Sequence, residues 1–245
     1  MNSLGHTRSV FALDHLLQTP DTFVRTMLPG MAGAAAIVHA SPALGARFTA
    51  YTAELQPGGT LGSSPCQRFL YVLAGKLALQ NENGSTPLSI GSYAFASRNN
   101  DHQLSAEEPS RLFVIEKNYV PREGLNPPAS FVENESAVES QPLGGDPDLQ
   151  VRALLPDSPE FDFAVNTMTY APGASLSMVE IHVMEHALLM LEGGGIYRLG
   201  DRWYPVQAGD FIWMRAYCPQ WFGAIGKTPA KYIIYKDWNR HPLAL

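Results

Sequence analysis

An internal repeat with a period of 118 residues is the feature that most limits how this sequence can fold. Four motifs of the first half recur in order in the second: PGGTL and PGASL, RFLYVLAGKLAL and HALLMLEGGGIYRL, LSIGSYAFASRNNDHQL and PVQAGDFIWMRAYCPQWF, FVIEKNYV and YIIYKDWN. In one register Leu73 aligns with Leu191, Gly75 with Gly193, Gly91 with Gly209 and Phe95 with Trp213. Pro57 and Pro172 are 115 residues apart, so the copies differ by one insertion or deletion of three residues after this proline. The chain is therefore expected to contain two copies of one design.

Each copy consists of short runs rich in β-branched and aromatic residues, separated by Gly, Pro and Asn. These runs predict strands at 47–55, 68–73, 111–117, 162–170, 210–214 and 231–236. The chain has 21 Gly and 19 Pro but only 16% charged residues, which favours turns between strands over long surface helices. One short helix is expected near Asp14–Gln18. Strands at this spacing predict an all-β sandwich or barrel in each copy.

The repeat also predicts the domain organisation. We expect an N-terminal barrel at residues 1–120 and a C-terminal barrel at residues 149–245. Between them, residues 121–148 are rich in Pro, Glu and Ser and have almost no apolar periodicity. This composition is typical of a linker. An ordered surface excursion that packs on both halves explains it equally well.

Composition and charge exclude several classes of protein. The formal net charge is −6, and Lys and Arg do not cluster, so no nucleic-acid partner is expected. The longest apolar stretch, near Met31–Val38, is far shorter than the ~20 residues that span a bilayer, and the first residues lack the apolar core of a secretion signal. The two cysteines, Cys66 and Cys218, are too few for a disulfide framework and predict reduced thiols in a cytoplasmic protein.

One run in the second copy, MVEIHVMEH, carries the chemistry. On a strand, Glu180 and His182 would lie on one face and the apolar residues between them on the other. The segment from His182 to His186 also has the H-x-x-E-H spacing of a helical zinc-peptidase site. The matching segment of the first copy, SSPCQRF, contains Pro65, which would break a helix, so we favour strand and turn. Because buried polar groups need partners, two imidazoles and a carboxylate in an apolar run predict a metal site.

This pattern resembles the cupin superfamily, whose jelly-roll barrels hold a metal with His, His, Glu and a later His. Here Glu180 stands at the first His, His186 at the Glu, and Gln220, on the later hairpin, at the last His; the glycine of the motif is kept as Gly193. The matching positions of the first copy are Gly62, Ser64, Arg68 and His102. One imidazole cannot hold a metal, so the first barrel is interpreted as metal-free and structural.

The departures from the cupin motif are themselves specific. A bicupin with E-x-H-x₃-H and a later Gln in its second barrel is similar to the (S)-ureidoglycine aminohydrolases, over about residues 22–240. The resemblance implies a homo-oligomer that releases ammonia from (S)-ureidoglycine, giving (S)-ureidoglycolate, in purine and allantoin degradation. It implies Mn²⁺ bound by four residues, substrate contacts from three, and Glu180, Tyr232 and Lys236 as catalytic residues. The four expected ligands are Glu180, His182, His186 and Gln220, and the three substrate-binding residues are Tyr197, Tyr232 and Lys236.

The chemistry of the residues is compatible with this expectation and leaves alternatives open. Two imidazoles with carboxylate and amide oxygens suit Mn²⁺ or Fe²⁺, while Zn²⁺ or another divalent ion is not excluded. Another metal-dependent bicupin enzyme, a dioxygenase or an isomerase, is the main alternative, and a non-enzymatic small-ligand-binding bicupin is a third. Without the resemblance, Tyr197 and Tyr232 read as ordinary strand aromatics and Lys236 as a solvated strand end. A small-molecule substrate is expected in either enzyme class.

Overall fold

The computed structural model describes residues 6–241 and residue 243, and most of them lie in β-strands, turns and loops. Within this part of the chain the helices are three short 3-10 turns, at Pro20–Thr22, Pro42–Leu44 and Glu135–Ala137. None of them is long and apolar enough to cross a membrane. The prediction of an all-β fold is confirmed.

The chain divides into two compact units. The first unit is Val24–Ala137, and the second combines the described residues up to Phe23 with those from Val138 onward. These boundaries differ from the ones expected from the repeat. The N-terminal segment belongs to the second unit, and the expected linker is divided between the two units at residue 138 because each part pairs with a sheet.

In the part of the chain that the structure describes, these units contain twenty-one strands. Near the N-terminus lie β1 (Val10–Phe11) and β2 (His15–Gln18). The first unit contains β3 (Arg25–Thr26), β4 (Met31–Ala40), β5 (Thr49–Leu61), β6 (Gln67–Ala74), β7 (Leu77–Asn81), β8 (Gly84–Leu88), β9 (Ser92–Ala96), β10 (His102–Ala106), β11 (Ser110–Lys117) and β12 (Phe131–Asn134). The second unit continues with β13 (Gln141–Leu143), β14 (Asp146–Ala153), β15 (Ala164–Tyr170), β16 (His186–Glu192), β17 (Gly194–Leu199), β18 (Arg202–Gln207), β19 (Phe211–Met214), β20 (Gln220–Ala224) and β21 (Ala230–Lys236).

The two units repeat one pattern of strand pairing. The first has the order β12-β9-β6-β11-β5-β10-β7-β8, with β4 beside β5 and β3 beside β4. The second has the order β1-β2-β19-β16-β21-β15-β14-β13 and a smaller sheet β18-β17-β20. Thus β9-β6-β11-β5 corresponds to β19-β16-β21-β15, and β8-β7-β10 to β18-β17-β20. The 118-residue register of the sequence is therefore a register of the structure.

The same edge of each pattern is completed by a segment outside the repeat. In the first unit β12 pairs with β9, and in the second β2 pairs with β19, with Leu17 opposite Ile212. The short helix expected near Asp14–Gln18 is wrong, because this segment is a strand. Its side chains alternate between buried and half-buried positions, and Leu17 packs into the core of the second unit.

Two glycines at equivalent positions of the repeat occupy equivalent turns in the two units. Gly75 and Gly193 follow β6 and β16, with φ of +86° and +63°. A Cβ at Gly75 would collide with Ser110, and one at Gly193 with the carbonyl oxygen of Pro229. Both turns therefore need a left-handed residue without a side chain at the same place.

Alternation along the strands of the second unit separates core from site. Leu188 and Met190 on β16 and Ile234 on β21 point into the apolar core. Two residues further along the same inward faces, His186 and Lys236 lie directly opposite each other in the β16–β21 ladder. The strands that build the core thus carry polar groups into one end of the unit.

Candidate active site

The second unit contains a cavity of about 190 Å³ at this end of the sheet. All seven side chains that the sequence analysis selected line this cavity: Glu180, His182, His186, Tyr197, Gln220, Tyr232 and Lys236. They come from a loop and from strands β16, β17, β20 and β21, so residues up to 56 positions apart meet. The volume lies below the range of roughly 300–1,000 Å³ typical of drug-sized ligands, which suits a small compound.

The loop between β15 and β16 places Glu180 and His182. Glu180 forms a single antiparallel bridge with Gln220, with backbone N···O distances of 2.8 and 2.9 Å in the two directions. The carbonyl oxygen of His182 accepts a hydrogen bond from the Tyr217 amide at 2.7 Å. The expected strand through this run is therefore limited to the bridge at Glu180, and β16 begins only at His186. Residues 171–185 contain no helix, which removes the zinc-peptidase interpretation.

The two histidines and the glutamate lie side by side. His182 Nε2 is 3.1 Å from Glu180 Oε2, and the rings of His182 and His186 are 4.6 Å apart between centroids. His186 Nδ1 donates to the carbonyl oxygen of Met184 at 3.1 Å, while its Nε2 is buried without a hydrogen-bond partner. Burial, with Lys236 and His182 nearby, lowers the pKa of His186 well below its usual value. A neutral His186 thus directs an unshared electron pair at the cavity.

Two buried tyrosines orient polar groups in the cavity wall. Tyr197 Oη donates to Gln220 Oε1 at 3.0 Å, and both side chains are buried. The hydroxyls of Tyr232 and Tyr170 are 2.7 Å apart. Burial raises the pKa of Tyr197 and of Tyr232 well above the usual value. Both hydroxyls are therefore protonated at neutral pH, and Tyr197 uses its proton in the hydrogen bond to Gln220.

Lys236, the last residue of β21, is the cationic side chain of this cavity wall. Burial lowers its pKa, and the carboxylate of Glu180 opposes part of that decrease. A lysine with a lowered pKa beside a small polar cavity is suited to exchanging a proton with a ligand.

Two residues on β15 belong to the site and were missed by the sequence reasoning. Asn166 lines the cavity directly, and Tyr170 reaches it through its hydrogen bond to Tyr232. With Met168 they occupy alternate positions of one strand face. Period-2 alternation in the predicted strand 162–170 was the available signal, because it places an amide among inward-facing residues.

A different hydrogen-bond network occupies the corresponding positions of the first unit. Arg68, at the position of His186, donates from Nη1 to His102 Nε2 at 2.9 Å and from Nε to Glu116 at 2.9 Å. His102 Nδ1 donates in turn to the carbonyl oxygen of Asn100 at 2.9 Å. Both ring nitrogens of His102 are therefore occupied, in contrast to the open Nε2 of His186.

Comparison with known proteins gives the relationship. The chain is 41% identical over 244 residues to the (S)-ureidoglycine aminohydrolase of Arabidopsis thaliana, which covers 98% of this chain and 80% of the relative. It is 35% identical over 231 residues to the (S)-ureidoglycine aminohydrolase of Escherichia coli strain K12, which covers 91% and 88%. The chain belongs to the (S)-ureidoglycine aminohydrolase family. This confirms the resemblance inferred from the E-x-H-x₃-H run and Gln220.

The fold of this family member agrees with the same comparisons. A protein-family model described as a cupin domain matches residues 166–235, which contain Glu180, His182, His186 and Gln220. The crystal structure of the E. coli protein Ylba matches with a TM-score of 0.85 and 31% identity, covering 97% of each chain. The cupin fold expected from the sequence is confirmed.

Proposed function

We propose that this chain hydrolytically releases ammonia from (S)-ureidoglycine, giving (S)-ureidoglycolate, as a step of purine degradation. The curated relatives that match nearly its whole length carry the name of this activity. The single structural observation that supports it is the small cavity in which the selected acid, base and imidazole groups converge. The dioxygenase, isomerase and non-enzymatic alternatives have no comparable support from the relatives.

The residues of the cavity fit a divalent metal ion. The unpartnered Nε2 of His186 and the adjacent Glu180 carboxylate and His182 imidazole are donors, and Gln220 Oε1 adds an amide oxygen. Such a mixed nitrogen and oxygen set suits Mn²⁺, the ion we propose, and also Fe²⁺ or Zn²⁺. When bound there, the ion would act as a Lewis acid and hold the substrate in one orientation.

The remaining polar groups are assigned to the substrate. Ureidoglycine carries an amine, a carboxylate and a ureido group on one carbon, so four different substituents must be distinguished. The Lys236 ammonium and the Tyr232 hydroxyl pair with the carboxylate, and the Asn166 amide offers both a donor and an acceptor to the ureido group. Tyr197 keeps Gln220 oriented. This arrangement defines which enantiomer fits.

The proton balance of the reaction then needs one group that both gives and takes a proton. The bond from the central carbon to the amine nitrogen breaks, and that nitrogen leaves as ammonia after receiving a proton from Lys236. A water molecule adds its oxygen to the same carbon and returns a proton to Lys236. Positioned proton transfer of this kind contributes roughly 10²–10⁴ in rate, and the lowered pKa of Lys236 suits it to the task.

An ammonia-release assay tests the proposal. The full-length protein is treated with a chelator, dialysed, and mixed with freshly generated (S)-ureidoglycine in the presence or absence of added Mn²⁺. We expect ammonia release that depends on Mn²⁺ and yields (S)-ureidoglycolate. Folded protein that releases no more ammonia than buffer with any of Mn²⁺, Fe²⁺ or Zn²⁺ contradicts the proposed activity.

Lys236→Met tests the proton donor. This change keeps the length of the side chain but removes the ammonium group, so kcat should fall by at least about 100-fold. Lys227→Met is the matched control, because Lys227 is exposed in a turn before β21, and it should leave kcat unchanged. Equal rates for the two variants would remove Lys236 from the mechanism.

Homo-oligomeric assembly and a cytoplasmic location stay predictions.

A further inference from the structure

A second group of ligating side chains lies in the second unit, away from the proposed active-site set. Among the residues that the structure describes, Asp14, His15 and Cys218 are the one group whose His, Cys or carboxylate ligand atoms all lie within 4.8 Å of one another. His15 and Cys218 are buried, and the Asp14 carboxylate is partly exposed. Neither Asp14 nor His15 falls inside the repeat, and neither takes part in the cavity chemistry.

Hydrogen bonds orient the imidazole toward a common point. His15 Nε2 is 2.9 Å from the Tyr204 hydroxyl, and Nδ1 is 2.8 Å from Asp14 Oδ1. Because the Asp14 carboxylate can only accept, Nδ1 donates to it and Nε2 accepts from the Tyr204 hydroxyl. A cation that replaces the Nδ1 proton would leave the ring proton on Nε2, which would then donate to Tyr204. Metal-binding histidines are typically oriented in this way, by a hydrogen bond from the ring nitrogen that does not bind the metal.

Space is kept for the carboxylate beside this imidazole. Gly200 has φ of +62°, and a Cβ there would lie 2.9 Å from Asp14 Oδ2. A side chain at position 200 would therefore displace this carboxylate oxygen. The group thus consists of an oxygen, a nitrogen and a sulfur donor, with the exposed side of Asp14 open to solvent.

We propose that Asp14, His15 and Cys218 form a second metal site, which takes a borderline or soft divalent cation such as Zn²⁺. Zinc is bound in proteins by this combination of thiolate, imidazole and carboxylate ligands, usually with tetrahedral geometry, and water fills the fourth position on the exposed side. The thiol proton is released to solvent when the cation binds. The site differs from the active-site set, which combines two imidazoles with two oxygen donors, lacks a thiolate and suits a harder ion.

The cation would fasten the N-terminal segment to the unit that holds the active site. His15 is the first residue of β2 and Asp14 precedes it, whereas Cys218 lies just before β20, which carries Gln220. Two segments about 200 residues apart would share one ion. Binding to the folded chain alone stabilises it by mass action.

Co²⁺ is the probe that separates the two sites. Bound to a thiolate, Co²⁺ gives an intense sulfur-to-metal charge-transfer absorption in the near ultraviolet, which nitrogen and oxygen ligands do not give. The chelated, reduced full chain is titrated with Co²⁺ under anaerobic conditions and then with Zn²⁺. We expect one equivalent of the charge-transfer species, which Zn²⁺ displaces, and a higher Tm of the second unit with Zn²⁺ bound.

Three variants decide the assignment. Cys218→Ser should lose the charge-transfer absorption, while Cys66→Ser, the matched control at the other cysteine, should keep it. Glu180→Ala should keep it too, although that variant is expected to lose ammonia release, so failure of the proposed function is distinguished from failure of this site. Folded wild-type protein without the absorption, or absorption that persists in Cys218→Ser, overturns the proposal.

Discussion

The ion pair between Arg8 and Asp210 fixes the N-terminal segment to the second unit. Arg8 Nη1 donates to Asp210 Oδ2 at 2.6 Å and Arg8 Nη2 donates to Oδ1 at 2.8 Å. Asp210, in the turn before β19, is fully buried and accepts one more hydrogen bond, from the Gln207 amide at 2.9 Å. Arg8→Met removes both donors but keeps most of the apolar stem, so the perturbation leaves Asp210 as a buried carboxylate with one donor.

The size of the effect follows from these contacts. Removing one partner of a fully buried ion pair costs about 3–5 kcal/mol. The Arg8 side chain is 34% exposed, so water can replace part of what the guanidinium provides. We therefore expect the free energy of unfolding of the second unit to fall by about 2–3 kcal/mol. Arg8→Met combined with Asp210→Asn should lose less than the sum of the single changes, because the double variant leaves no buried charge.

Tryptophan fluorescence measures the second unit selectively. All four tryptophans lie there, at Trp203, Trp213, Trp221 and Trp238. With a urea m-value of about 2 kcal/mol/M, the loss corresponds to a midpoint lower by about 1–1.5 M at constant m. A decrease of less than about 0.5 kcal/mol, or a double variant as unstable as the sum of the two singles, would refute the view that this pair holds the segment in place.

Two further predictions concern the active site and the first unit. Tyr197→Phe removes the hydrogen-bond donor to Gln220 Oε1, so the rate of ammonia release should fall at least about tenfold. The free energy of unfolding should fall by only about 1–3 kcal/mol, which is the cost of an unsatisfied buried acceptor. An unchanged kcat would show that Gln220 needs no such orientation. Burial lowers the pKa of His39 to about 3, so the folded first unit keeps a neutral imidazole whereas the unfolded chain binds a proton below about pH 6.5. The free energy of unfolding of the first unit should therefore fall by about 2 kcal/mol between pH 7.5 and pH 5. In His39→Gln this decrease should be smaller by the same amount. Urea denaturation followed by far-ultraviolet circular dichroism measures both proteins, and parallel pH profiles would contradict the prediction.

The repeat carried most of the fold and most of the candidate site. Glycines at matched positions and strands of alternating residues determine the pairing pattern locally, because a left-handed turn and a half-buried strand each need particular residue types. The residue types at Glu180, His182, His186 and Gln220 also specify donor chemistry without knowledge of distances. Alternation was less informative for the loop before β16, where only Glu180 joins a bridge and the backbone turns before His186.

By itself, the sequence thus determined that the chain contains two copies of a β unit and which polar residues of the second copy form the candidate site. The tertiary structure decided which chain segments complete each unit. Strand β2 pairs with β19 across about 195 residues, and β12 pairs with β9, although neither lies in the repeat. Local periodicity shows that a segment can be a strand, but the partner of an edge strand is chosen by long-range hydrogen bonding and burial. For the same reason the open Nε2 of His186 and the group formed by Asp14, His15 and Cys218 exist only in the folded chain.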